Sequence, residues 1–283
     1  MTMTTLFLAR EPIIRLFFFL GILVIMAIWE ILSPRRPLTT SKRVRWFNNL
    51  AIVVVDSVTL RFSFPVAAIG MALFVENHKW GLFHNIVLPN WLTVAGGVIC
   101  LDLAIYLQHI MFHAVPAFWR LHMMHHSDLD FDLTTGIRFH PIEILLSMGI
   151  KMSVVLVLGI SPLAVLIFEI LLNATSLFNH GNVRLPGLID RLLRLIVVTP
   201  EMHRVHHSVI IRETNSNFGF NLPWWDRLLG TYRNQPAAGH QGMTIGLSQF
   251  RDTKRLTLPW LLALPFIGNP GNYSFWSRIR IGI

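Results

Sequence analysis

Residues 101–126 read Leu-Asp-Leu-Ala-Ile-Tyr-Leu-Gln-His-Ile-Met-Phe-His-Ala-Val-Pro-Ala-Phe-Trp-Arg-Leu-His-Met-Met-His-His, an apolar run that ends among five histidines. Asp102, Tyr106, His109 and His113 recur every three or four residues, which is one stripe of an α-helix. In His122-x-x-His125-His126 the same rule sets His122 beside both later rings. The stretch predicts a membrane helix that carries metal-binding chemistry to its end. From it follows an all-α fold, a polytopic membrane helical bundle under a cytoplasmic histidine-rich cap.

Working outward, His203-x-x-His206-His207 repeats the pattern, while His140 and His180 stand alone. Ten of the 13 histidines lie between positions 109 and 207. Each buried imidazole brings a donor and an acceptor to satisfy, whereas a metal takes the lone pair of neutral imidazole directly. A single pair is explained by packing; three groups and two singles point to metal. Eight grouped histidines exceed the four ligands of tetrahedral zinc, so a pair of ions fits the count. Asp102, a carboxylate within a span, either orients a metal-bound histidine or bonds a neighbouring helix.

Composition agrees with a membrane protein. Apolar residues are 53% and charged residues 14% of the 283, against about 45–50% and about 25% in soluble domains; the mean hydropathy is +0.54. Residues 13–32 make a retained first span, too bulky at its end for a cleavable leader. The loop 33–48 holds Arg35, Arg36, Lys42, Arg43 and Arg45 with no acidic residue, which places it in the cytoplasm. Spans at about 50–75 and 91–108 follow, the former weakened by Asp56, Arg61 and Pro65. Residues 141–178 are too long for one span, and Gly159-Ile-Ser-Pro162 divides them into a hairpin that returns His180 to the side of His140.

Segment 184–194 reads as an interfacial amphipathic helix and 215–232 as an ordered cap. Trp260, Trp276, Arg278 and Arg280 suggest membrane-surface contact near the end. Three regions result: 1–90 with the N-terminal spans and basic loop, 91–233 with the catalytic residues, and 234–283 on the membrane surface. The lone Cys100 forms no intrachain disulfide. The net charge of +9 borders the spans, which argues against nucleic-acid binding.

Together these motifs resemble the fatty acid hydroxylase and sterol desaturase superfamily of integral membrane enzymes. The resemblance runs from Asp102 to Tyr232, through Arg138-Phe-His140-Pro-Ile-Glu143, Asn179-His180-Gly-Asn182, Thr199-Pro-Glu201-Met-His203 and Glu213-Thr-Asn-Ser-Asn-Phe-Gly219. It implies a non-haem di-iron centre held by His109, His113, His122, His125, His126, His203, His206 and His207, with His180 a further ligand. His140 either binds metal or orients the site from outside. It also implies O2 as co-substrate and a C–H bond of a lipid (fatty acyl, sterol or related) as the target. Zinc, without redox chemistry, is at most a substitute occupant. Ile110 and Phe218 depart from the family's frequent Arg and Tyr.

Asp102, Asp128, Glu143 and Glu201 are candidates for holding the ligands in place, with helix capping the plainer role for Asp128 and Glu143. No nucleotide-binding or haem-attachment motif is present, so electrons come from an external ferredoxin- or cytochrome-type donor with its reductase. Hydroxylation leads. Desaturation at the same site is the near alternative, and a histidine-lined metal carrier or transporter is the alternative of another class. A bacterial inner membrane is the expected location.

Overall fold

The structure, a computed structural model, describes residues 10–273; Trp276, Arg278 and Arg280 lie outside the described residues. Its long helices are α1 Glu11–Leu32, α2 Lys42–Ser63, α3 Ala67–His78, α4 Asn90–Ala114, α5 Pro116–His126, α6 Pro141–Leu158 and α7 Pro162–Asn179. The short α8 Gly187–Leu193 and α9 Pro200–His206 follow, then α10 Leu258–Ile267. Among the described residues, five segments are long and apolar enough to cross a membrane: Glu11–Leu32, Lys42–Asn85, Asn90–Ala114, Pro141–Leu158 and Pro162–Asn179. Among the described residues there is no strand, only two isolated bridges.

Proline writes several helix starts into the sequence. α5, α6, α7 and α9 each begin at Pro, where the missing N–H costs nothing. Ser161 and Thr199 add side-chain caps to α7 and α9. The hairpin divides where expected, because Gly159 ends α6 at φ +70°. A side chain there would meet the Trp80 carbonyl at 2.5 Å, so only glycine fits. The segment expected as one span at about 50–75 is instead two helices. α2 starts earlier, at Lys42 behind the Ser41 cap, and the chain breaks between Ser63 and Ala67 around Pro65.

Helices α3, α4, α6 and α7 share one apolar core, with Ala72 and Val75 against Leu101, Val155, Ala164 and Phe168. Phe17, Ile25, Val54, Phe62 and Val157 point outward, as lipid-facing positions do. The two ends of the bundle differ. Gly81 touches Gly159 at one end. At the other, Pro34 bridges Val183, the Arg35 N–H donates to the Asn182 carbonyl (3.0 Å) and the Arg184 N–H to the Ser33 carbonyl (3.0 Å). The loop before α2 therefore lies on the histidine side.

That loop is less free than its charge implies. Asp130 accepts from the N–H groups of Thr39 and Thr40, and Arg45, in the first turn of α2 that follows it, is fully buried against Asp128 and Asp132. Arg194, expected on the exposed face of an amphipathic helix, is likewise buried and bonds Asn234. Leu188, Leu192 and Leu195 are exposed beside it.

Candidate metal centre

Nine histidines converge at the cap end in two groups that could each hold a metal ion. His109, His113, His122, His126 and His206 form one, and His125, His180, His203 and His207 the other; within each group one nitrogen from every ring lies within 4.8 Å of the others. All nine are buried. The groups adjoin, with the rings of His126 and His207 centred 4.6 Å apart. The repeated motif explains the partition. His122/His126 and His203/His207 are four apart on a helical course and share a face, whereas His125 and His206 point round the helix to the other group. Each motif thus gives two imidazoles to one group and one to its neighbour. His122 and His125, adjacent by spacing, belong to different groups.

The tautomers show what these rings are prepared for. Six Nδ1 atoms donate to oxygens: His109 to the Phe218 carbonyl (2.8 Å), His113 to Asn215 Oδ1 (3.1 Å) and His122 to Glu143 Oε1 (2.7 Å). His125 donates to the Arg138 carbonyl (3.2 Å), His180 to the Ser176 carbonyl (2.9 Å) and His206 to the Ser216 carbonyl (2.8 Å). A neutral ring with its proton on Nδ1 keeps a bare lone pair on Nε2. Yet His109 and His122 bring their Nε2 atoms to 3.1 Å, and His125 and His180 to 3.3 Å. With both protons on Nδ1 no hydrogen is left to join them, and facing lone pairs of this kind suit a cation between them. His206 Nε2 and both nitrogens of His207 have no partner among the described residues. The donor set fits a metal pair.

Protonation is no substitute for the ion. Burial pushes His122 and His180 down to about 3, and holds His125, His126, His203, His206 and His207 well below the ordinary imidazole value. An unfolded chain takes up protons below about pH 6.5 while the folded one refuses them. Metal-stripped protein is therefore expected to keep this stability above pH 6.5 and to lose it as pH falls towards 3. The slope is up to about 1.4 kcal/mol per pH unit for each such ring. Thermal unfolding from pH 8 to 5 checks this; a flat profile would show that the rings are hydrated.

Supporting residues divide differently from the expectation. Glu143 Oε1 accepts from His122 Nδ1 (2.7 Å), the arrangement that fixes a ligating imidazole. Glu143→Gln is expected to weaken metal binding about 10- to 100-fold in chelator competition, and wild-type affinity would refute the role. Asp102 does not touch a histidine; its Oδ2 accepts from Trp225 Nε1 (2.7 Å) and secures the cap to α4.

Asp128 acts at one remove. It takes Arg45 through two bonds (2.7 and 2.8 Å) and lies 3.8 Å from Arg138, whose carbonyl orients His125. Burial alone would raise its pKa, but Arg45 and Arg138 hold it well below the carboxylate range. Glu201 ties α9 to the basic loop, 2.5 Å from Arg35, 3.3 Å from Arg204 and 2.8 Å from His240. Burial opposes its charge, yet His240, Arg204 and Arg35 bring it down to about 2.

His140, carried as a candidate ligand, lies outside both groups. Its Nδ1 accepts from the Ile142 N–H, capping α6, so its proton sits on Nε2 and goes to the Leu262 carbonyl (3.2 Å). No lone pair remains to offer a metal. The sequence reading named Glu143 but missed the other acceptors that orient the rings, because most are main-chain carbonyls without a residue-type signal. It also missed Phe139, which stacks on His125 at 4.5 Å.

Helical bundle and paired imidazole groups together define a class of membrane protein. Residues 94–231 match the fatty acid hydroxylase family, and the chain belongs to it. It is similar to an ornithine lipid hydroxylase of Rhizobium tropici, 31% identical over 230 residues, which cover 77% of this chain and 66% of that one. Human alkylglycerol monooxygenase is 28% identical over 202 residues (68% and 42%). Human cholesterol 25-hydroxylase is 29% identical over 140 (48% and 49%). The chain thus spans just under two thirds of the first of these relatives and less than half of the other two. No solved structure matches it.

Proposed function

We propose that this protein is a membrane oxidoreductase that hydroxylates a C–H bond of a lipid with O2, two iron ions and electrons from an external donor. The observation that carries the reading is the pair of adjoining, buried, all-imidazole groups whose Nε2 lone pairs face one another without protons. Imidazole suits several metals, and attack on an unactivated C–H bond selects a redox-active one. Iron in both groups supplies the oxygen chemistry when bound. The chain supplies the rest. Glu143 and the carbonyls of Phe218, Arg138, Ser176 and Ser216 hold the ring tautomers, while Phe139, Phe218 and Phe220 wall the rings off from water.

The histidine end is the cytoplasmic end in this reading, and a bacterial inner membrane fits the Rhizobium relative. Arg43, Arg184, Arg191 and Arg212 are exposed in the loops and helix ends of the sequence around it, a charge that steers an acidic electron carrier. Labelled O2 fed to cells with and without the protein tests the function by lipid mass spectrometry. Label in a lipid alcohol is the expected result. A new double bond without label indicates desaturation, and unchanged lipids with altered metal uptake indicate a carrier.

A further inference from the structure

Between α2, α4, α6 and α7 lies a cavity of about 230 Å³, smaller than the roughly 300–1,000 Å³ of a pocket that encloses a whole ligand. It accommodates part of a lipid and leaves the rest in the bilayer. Phe139 and Glu143, which touch the metal-centre histidines His125 and His122, form part of its wall, and Asp56, Gln108 and Ser147 face it from neighbouring helices. Among the described residues, no Lys, Arg or His lines it.

The buried polar atoms on its wall that lack a partner among the described residues are all oxygens. Gln108 Nε2 already donates to Ser147 Oγ, Ser57 Oγ to the Val53 carbonyl, Asn173 Nδ2 to the Glu169 carbonyl and Ser176 Oγ to the Gly136 carbonyl. Asp56 Oδ1, Gln108 Oε1 and Glu143 Oε2 accept from nothing among the described residues. Asp56 is 8% and Glu143 3% exposed, so these orphaned oxygens are costly unless a ligand supplies hydrogens.

We infer that this cavity is a subsite for the hydrogen-bond-donating polar group of the lipid, an N–H or O–H read by Asp56, Gln108 and the free oxygen of Glu143. Glu143 then serves both sides, holding His122 through Oε1 and the substrate through Oε2, and oxidation falls on a carbon near the polar group. The inference rests on the lipid-oxidising reading of the site.

Binding to the metal-loaded full chain in phosphatidylcholine nanodiscs tests it, because that host lipid has no N–H or O–H. The probes are a 1-alkylglycerol against its dimethyl ether, and an aminoacyl lipid against its trimethylammonium counterpart. We expect about 10- to 100-fold tighter binding of the donor-bearing member of at least one pair, and which pair responds names the donor. In Asp56→Leu and Gln108→Leu that preference should fall towards unity, and in Asp56→Asn, which keeps shape and one acceptor, to an intermediate value. Equal affinities in both wild-type pairs would overturn the inference, as would a preference surviving all three variants. Label incorporation from O2, scored separately, reports on the reaction and not on the subsite.

Discussion

Replacing His180 with alanine is expected to lower the metal content from about two ions per chain to about one and to reduce lipid oxidation more than 100-fold. Loss of a residue that merely supports a ligand costs about 10- to 100-fold, and His180 stands among the rings themselves. Its Nε2 is 3.3 Å from that of His125 and 3.1 Å from that of His203. Its group holds only four imidazoles, against five in the other. The matched control is His140→Ala, which removes a helix cap worth about 1 kcal/mol and should leave the metal content unchanged. Full metal in the first variant, or depleted metal in the second, would reverse the assignments made from their tautomers.

The second large effect belongs to Arg45, far from the histidines in sequence and fully buried. It bonds both oxygens of Asp128, Asp132 Oδ2 (2.5 Å) and Thr135 Oγ1 (3.2 Å). Arg45→Leu abandons two buried carboxylates, and breaking such a cluster from one side costs about 3–5 kcal/mol. The expected result is a sharp fall in apparent melting temperature with weakened metal binding, because the loop presenting the Arg138 carbonyl to His125 is released. Adding Asp128→Asn and Asp132→Asn should restore part of the loss. If the single variant melts like the wild type, the cluster does not hold the cap.

Arg45 also shows where charge counting stops. The positive loop that orients the chain by sequence contains a residue that contributes nothing to the surface. Its partners lie more than eighty positions away, so no local pattern links them. Asp102 makes the same point within a helix. It lies on the histidine stripe of α4, yet the side chain turns to Trp225, which loops back from the far end of the cap.

By itself the sequence determined most of the helices, the break at Gly159 and the identity of the candidate metal-binding side chains. Those depend on hydrophobic length, on Pro and Gly at element ends, and on imidazole spacing along single helices, all local properties. Only the tertiary structure decided which histidines are grouped together and which of the two single histidines, His140 and His180, has its lone pair spent elsewhere. It also decided which carboxylates reach the rings. Those outcomes depend on which side of a helix faces which neighbour, and on main-chain carbonyls that any residue can supply.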